Sequence, residues 1–469
     1  MASLGENEVK DDVNEPFIPN QEHKDHLNPI KVSFSNGYWK ESWEFTKNNW
    51  IPLLANAFEW FEFATFAYQV EAISQNFSNG NESVVWVIFS VAFLCRPIGG
   101  ILVGYLGDFF GRKLAFRLAS ITVVLSTFLQ GTLPSQLAGG DIGRQSGLVL
   151  LLILRVMQGL GIGGEVGSGI ILLAESAKRQ HVGITLGWLT VSSGVGFMFA
   201  SLSAALINSI MSEEDVVAYG WRLPFLLSII PGVLLLRVLE RLEETQEFSQ
   251  LSDIRREQSS IFNPDIMKRI STYVLCQGGV ASFWYIGCIY VFDWLKDTKN
   301  SESDGFGAAE LLWIATFQNS IQLPSALFFG VCLDIFGLRT MFPFLTASIL
   351  VFVLPVFVLL DTIGPNLILI LFGPGIIFGI LSGGLGSASA LLAVDLFPVE
   401  YRHRSVGLSY NLSVMLFGGL GPAWAELAEG HIPVAPGVLI GISAAISFLT
   451  FVFLAQNLIP LAKKPHVNP

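Results

Sequence analysis

The sequence predicts an all-α integral membrane protein whose 12 transmembrane helices form two pseudo-symmetric six-helix bundles, and three observations predict it. Of its 469 residues 52% are hydrophobic and only 14% charged, with a mean hydropathy of +0.56. Most of the chain therefore avoids water, and charge is confined to short stretches. About a dozen apolar stretches reach the ~20 residues a helix needs to cross ~30 Å of hydrocarbon. Finally, Gly104-Tyr-Leu-Gly-Asp108-Phe-Phe-Gly111-Arg112-Lys113 recurs in the second half as Gly330-Val-Cys-Leu-Asp334-Ile-Phe-Gly337-Leu-Arg339, each copy after the second span of its half. Internal repetition of this kind is the mark of two related halves around a central site.

The apolar stretches lie near 50–74, 84–106, 114–133, 147–174, 184–210 and 221–239, then 271–295, 308–331, 341–361, 366–393, 405–428 and 437–459. The charge-rich segment Glu240 to Arg269 separates the two sets of six and reads as a linker. The expected organisation is a disordered cytoplasmic tail over 1–46, a bundle over 47–239, a linker over 240–270, a second bundle over 271–460 and a tail over 461–469. Met1 to Thr46 is polar and lacks the apolar core of a cleavable signal, so the first span is expected to target the chain. The 46 glycines and 11 tryptophans suit close helix packing and interfacial anchoring.

Orientation follows from basic residues, which are retained in the cytoplasm near helix ends. Arg112, Lys113, Arg117, Lys178, Arg179, Arg255, Arg256, Lys268, Arg269, Arg339, Arg402, Arg404, Lys463 and Lys464 fall on one side, against Arg144, Arg222, Lys296 and Lys299 on the other. Both termini are therefore expected in the cytoplasm, with the plasma membrane the expected location and an organellar membrane the alternative. The first external loop carries two glycosylation sequons, at Asn76 and Asn81. The formal charge of -11 comes without a basic stripe, which argues against nucleic-acid binding. Cys95, Cys276, Cys288 and Cys332 sit in apolar stretches with neither disulfide nor zinc spacing, so no metal or cofactor is expected.

Ionisable groups inside a membrane cost about 2.5–3.5 kcal/mol each at mid-helix on insertion scales, so they need partners or water. In the first span Glu59, Glu62 and Gln69 fall within about 80° of one another at ~100° per residue, and Asn56 lies beside that face. In the fourth, Arg155, Gln158 and Glu165 share a face next to the small-residue stripe Gly159, Gly163 and Gly167. Two facing polar stripes predict a wet cavity, and the alternative is a structural salt bridge such as Arg155 to Glu62. Glu62 and Glu59 are the candidate proton sites. Arg155 is the candidate partner for a substrate carboxylate through a bidentate contact, with Glu165 pairing to it when substrate is absent. Arg96 is assigned to a helix kink and interface. Tyr285, Tyr290, Asp293 and Tyr410 are further candidates to line the cavity or gate it, against ordinary core packing or snorkelling. In the repeated motif, glycines permit a tight turn while Asp108 beside Arg112 can pair charges between neighbouring helices.

These residues are similar to those of the major facilitator superfamily, and within it to the metabolite:proton symporters that include proline/betaine, 2-oxoglutarate and shikimate carriers. The likeness is carried, in order along nearly the whole chain, by NAFEWFEF, RPIGGILVGYLGDFFGRK, RVMQGLGIGGEVG, GWRLPF, LEETQEF, DLFPVEYRHRSVGLSYN and LFGGLGP. The resemblance implies the major facilitator fold and a conformational latch at Asp108, Arg112, Asp334 and Arg339. It also implies a carrier that works as a monomer without a cofactor. The chain departs from the pattern at Glu62, where the family usually has aspartate, at Gln246 in place of a proline, and at Arg339, displaced by one position.

The expected function is secondary active symport of a small carboxylate or zwitterion, such as an amino acid, betaine or dicarboxylate, with a proton by alternating access. Uncoupled facilitated diffusion uses the same fold without a titrating carboxyl, and a solute sensor without flux is the reading from another class. No nucleophile, base and orienter set is apparent, so no enzymatic activity is expected.

Overall fold

Two sets of six membrane-crossing segments pack around a shared interior in the computed structural model, which describes residues 36–110, 112–164, 166–240, 263–299, 306–364 and 366–459. A short helix, α1 (Asn36–Asn48), precedes the first span. That span is split into α2 (Trp50–Ala67) and α3 (Val70–Phe77), which break at Tyr68 and Gln69. α4 (Glu82–Phe110) and α5 (Arg112–Gln130) follow. The fourth span is also split, into α6 (Gln136–Ile162) and α7 (Val166–Ser176). α8 (Val182–Ile210) and α9 (Glu213–Leu239) complete the first half. The second half comprises α10 (Pro264–Lys296), α11 (Ala308–Phe336), α12 (Leu338–Thr362) and α13 (Leu367–Leu396). It ends with α14 (Val399–Ser413), α15 (Gly421–Glu429) and α16 (Ala435–Leu458), α14 and α15 being joined through π-helical turns at Val414–Gly419.

Nine of these segments are long and apolar enough, among the described residues, to cross a bilayer unaided. The other three spans fall short for local reasons. The first is interrupted between α2 and α3, the third opens with Arg112 and Lys113, and the eleventh carries Arg402, His403 and Arg404. Two expected boundaries shift. The stretch 36–46, assigned to a disordered tail, is helical, because Tyr38, Ser42 and Phe45 recur on one side and pack on the bundle. Residues 264–270, assigned to the linker, form the first turns of α10, where Pro264 stands at the helix start and Asn263 caps the amide of Asp265. Residues 1–35 and 241–262 lie outside the described residues.

Apolar side chains point outward all round the molecule: Ile101, Ile230, Val351 and Phe453 are each about two-thirds exposed. Such a surface suits lipid, where backbone polar groups are satisfied within helices. Inside the first half, α4 and α6 approach at backbone distance. A Cβ on Gly159 would lie 2.1 Å from the Ala92 carbonyl, and one on Gly163 would lie 2.1 Å from that of Arg96. The small-residue stripe thus sets how close the helix bearing Arg96 comes to the helix bearing Arg155. The halves meet along two seams, α8 against α11 and α4 against α14 and α15. One end of the molecule carries α1, Lys178, Arg339, Arg402 and Arg404 and is called the basic end. The other carries the 78–81 turn and is called the opposite end.

Candidate functional site

Among the described residues, buried charge inside the first half comes from three helices: Glu59 and Glu62 on α2, Arg96 on α4 and Arg155 on α6. Taking an ion out of water costs several kcal/mol, so such a set persists only where its members, water or a ligand satisfy one another. Arg155 is engaged within its own half. One Nη donates to Gln158 Oε1 at 2.7 Å, the other to the Phe89 carbonyl at 2.9 Å, and the guanidinium lies 4.3 Å over the Phe66 ring. Gln158 in turn donates to Thr127 Oγ1 at 2.9 Å, tying α6 to α5.

Arg96 is placed differently. None of its nitrogens makes a well-formed hydrogen bond with a described residue, and the guanidinium stacks at 4.5 Å over Phe93 and 5.4 Å over Phe63. Its electrostatic neighbours are Glu59 on α2 and, from the second half, Tyr285 and Tyr410. One Glu59 carboxylate oxygen is likewise buried without a hydrogen bond. Sequence reasoning took Arg155 as the partner for a substrate carboxylate and Arg96 as a residue of a helix kink and interface; in the structure Arg155 is bonded within its own half and Arg96 has neighbours in the second half. The difference is tertiary: both Nη atoms of Arg155 find acceptors on α6 and α4, in Gln158 and the Phe89 carbonyl, whereas the guanidinium of Arg96 has electrostatic neighbours in the second half.

Aromatic rings close the space around this group. Trp60 meets Phe197 at 5.3 Å and Trp284 at 5.9 Å, and Tyr285 lies edge-on to Phe63 at 5.5 Å and to Phe93 at 5.2 Å. Trp284 and Tyr285 belong to the π-helical part of α10 (Phe283–Tyr290), a local geometry frequent at functional sites. The Trp284 indole N–H is buried and unpartnered among the described residues. Arg96, Glu59 and a wall of rings thus converge where the halves meet, with Arg155 and Glu62 buried within the first half.

The other candidates fall into three places. Asn56 is a tie within the first half rather than a free cavity group. Its amide donates to Ser192 and Ser193 at 2.7 and 2.8 Å, and its carbonyl accepts from Trp60. At the opposite end, Asp293 accepts from the Trp86 indole at 2.8 Å, and Tyr290 donates to Glu426 at 2.7 Å and Glu429 at 3.0 Å. Ser83 also reaches Glu426 at 3.0 Å, and Lys296 pairs with Glu71 at 2.5 Å. At the basic end, Asp334 accepts from the amides of Gly183 and Ile184 at 2.6 and 3.0 Å, joining α11 to the start of α8. Arg402 pairs with Glu175 at 2.8 Å, and the Asn411 amide donates to the Gly163 carbonyl at 2.8 Å. Arg339 does not cross the seam. It donates to the carbonyls of Gln456 and Ile459, so it ties α12 to the end of α16 within the second half. Glu165 and the side chains of Asp108 and Arg112 lie outside the described residues.

One site expectation is corrected. The Asn76 amide is fully buried and donates to the carbonyls of Ala72 and Val217, which leaves it closed to glycosylation because α3 turns it inward. Asn81 is exposed in the following turn. Pairs that sequence reasoning missed, Glu175 with Arg402 and Glu71 with Lys296, carried a partial signal as charged residues at span ends, but their partners lie in the other half.

Known proteins give a consistent comparison. A family pattern described as "Sugar (and other) transporter" matches residues 49–264. A transporter of Staphylococcus aureus (strain COL), named for proline and betaine, is 29% identical over 414 residues, 86% of each chain. The proline/betaine transporter of Escherichia coli (strain K12) is 27% identical over 426 residues, 86% of this chain and 82% of its own. Among solved structures, the proton:xylose symporter XylE bound to 6-bromo-6-deoxy-D-glucose superposes with a TM-score of 0.69 at 16% identity, covering 90% of this chain and 96% of that one. Likeness at that identity speaks to the fold alone.

Proposed function

We propose that this chain, a multi-pass membrane transporter of the major facilitator fold that resembles the proline/betaine carriers, moves a small carboxylate or zwitterion together with a proton by alternating access. The observation that carries the reading is Arg96, a buried guanidinium without a well-formed hydrogen bond to any described residue, set beside Glu59 where the halves meet. An unsatisfied buried cation is costly, and a substrate carboxylate supplies the bidentate acceptor that removes the cost. A cationic end of the same solute finds the faces of Trp60 and Trp284, which attract it through their quadrupoles.

Proton coupling follows from charge balance. Among the described residues the interior of the first half holds two buried acids and two buried arginines, of which Glu59 and Arg96 are electrostatic neighbours. A carboxylate arriving at Arg96 competes with Glu59, and a proton on Glu59 releases the arginine without stranding a second anion. Proton and substrate therefore favour each other's entry. The contacts at both ends tie the halves to each other, and exchange requires one set to break while the other holds.

The basic end is assigned to the cytoplasm, so both termini lie there, in the plasma membrane, and the monomer carries the whole path. Arg155 and Gln158 hold α4, α5 and α6 together around the site. Asp334 is the latch at the basic end. The same latch role is proposed for Asp108 and Arg112 by the repeated motif, while Arg339 braces α12.

Uptake into proteoliposomes, screened over amino acids, betaines and carboxylates with and without an imposed pH gradient, tests the reading. The Glu59→Gln protein is expected to exchange substrate across the membrane yet fail to concentrate it when the gradient is applied. Gradient-driven accumulation at the unsubstituted level by that variant would remove Glu59 from coupling. Wild-type uptake indifferent to the gradient would favour the uncoupled carrier.

A further inference from the structure

Helix α1 has two dissimilar sides. Tyr38 and Ser42 are buried, and Tyr38 joins a small apolar cluster with Ile184 and Val331, to which Trp188 and Leu327 add. Its hydroxyl donates to Asp334 at 2.8 Å, so Asp334 takes a third hydrogen bond beside those from Gly183 and Ile184. The Tyr38 ring also packs on His181 with centroids 4.5 Å apart. Glu41 bonds Lys178 at 2.9 Å and His181 at 3.2 Å, and Trp188 donates to Ser42 at 3.1 Å. One small helix thus holds both sides of the seam at the point where Asp334 closes it.

On the other side Trp39 and Trp43, one turn apart, are each 52% exposed, and Lys40 and Lys47 stand beyond them around the helix. Two exposed indoles on a helix of this size need a cover. The depth of α1 identifies it. Trp188 lies about 9 Å along the axis from the start of α8, at ~1.5 Å per residue. Trp188 touches α1 directly, donating to Ser42 and meeting the Trp43 ring at 5.7 Å, so α1 runs beside the start of α8 rather than beneath it. The exposed indoles therefore stand at the end of the spans, at the level where tryptophan and lysine partition between acyl chains and headgroups.

We propose that α1 is an interfacial clamp: Trp39 and Trp43, with Lys40 and Lys47, bind the headgroup layer of anionic lipid, and through Tyr38 this holds the Asp334 closure of the basic end shut. Lipid composition then biases which end of the carrier opens. Burial and the neighbouring Asp334 raise the Tyr38 phenol well above its ordinary range, so it remains a donor throughout the physiological pH range.

The test needs no substrate, so it stands apart from the transport assay. Full-length protein is placed in nanodiscs of phosphatidylcholine alone or with one-third phosphatidylglycerol, and amide exchange is followed over α1 and at Gly183 and Ile184. The phosphatidylglycerol discs are expected to slow exchange in both places, and Trp39→Ser with Trp43→Ser is expected to erase that difference. Tyr38→Phe, which retains the ring, is expected to speed exchange at Gly183 and Ile184 about tenfold, the scale of one buried hydrogen bond to a charged group. A spin label at Trp43→Cys gives an independent depth. Oxygen accessibility exceeding that of a water-soluble nickel chelate supports the clamp. Free access of the chelate in the discs would overturn it and point to a soluble protein as the cover. Exchange at Gly183 and Ile184 that ignores Tyr38→Phe overturns it as well.

Discussion

At the residue scale the two buried arginines separate by what surrounds them. Arg155 spends its fork on Gln158 and the Phe89 carbonyl, so its loss leaves buried acceptors unmet. Arg155→Gln is expected to lower unfolding stability by about 2 kcal/mol, from the hydrogen bonds of a charged donor, seen as a lower melting temperature in detergent. Arg96 makes no well-formed hydrogen bond with the described residues. Arg96→Gln is expected to leave the melting temperature close to that of the unsubstituted chain while weakening substrate binding by about 2 kcal/mol or more, roughly thirtyfold, in equilibrium binding. Equal effects of the two substitutions on both readouts would erase the distinction.

At the element scale helix spacing decides which groups meet. A methyl at Gly163 would lie 2.1 Å from the Arg96 carbonyl and 2.7 Å from the amide of Gly100, both backbone atoms that cannot swing aside. Gly163→Ala is expected to cost about 3 kcal/mol through overpacking and to impair binding as Arg96 moves, measured by melting and by binding on one preparation. At Gly183 the added carbon would meet the Gly330 carbonyl at 2.4 Å and Asp334 Oδ1 at 2.7 Å, so Gly183→Ala strikes the closure of the basic end rather than the interior. Cysteine labelling from that end, at a position in the chamber, is expected to accelerate in Gly183→Ala. The clamp helix also has a predictable acid response. Hydrogen bonding to Lys178, then to His181, holds the exposed Glu41 carboxyl below the usual glutamate range. A lowered folded-state value means that the contact contributes above the ordinary range and is lost only as pH falls through the lowered one. Mobility of a spin label at Lys40→Cys is therefore expected to rise below the ordinary glutamate range, about pH 4, and release at pH 5 to 6 would contradict the pairing.

For the whole molecule the decisive feature is that the halves are tied to each other at both ends, by Ser83 with Glu426 and Trp86 with Asp293 at one and by Asp334 with Gly183 and Ile184 and Arg402 with Glu175 at the other. Transport requires the closures to alternate. Disulfides placed at Ser83→Cys with Glu426→Cys, or at Glu175→Cys with Arg402→Cys, in a background without the four native cysteines, are each expected to abolish net uptake and to restore it on reduction. Uptake that survives complete cross-linking at either end would show that the halves do not rock about this seam.

Much of this architecture was legible in the chain. The apolar stretches, the repeated Gly-Asp-Gly motif and the basic bias each follow from rules acting within one segment, because a helix in lipid satisfies its own backbone and displays its hydropathy along its length. The first, third and eleventh spans were legible too, although each is weakened by a break or by charge. Glu59 and Glu62 could be singled out for the same reason, since an acid in an apolar helix is costly wherever it points. What that reading could not supply was partnership. Whether Arg96 or Arg155 faces the second half depends on which acceptors other helices bring to each, and whether Asp334 meets Arg339 or the start of α8 depends on the other half. The role of α1 rests on Tyr38 reaching a residue of the opposite bundle. Each of these is a contact between segments far apart in the chain, settled by packing rather than by local composition.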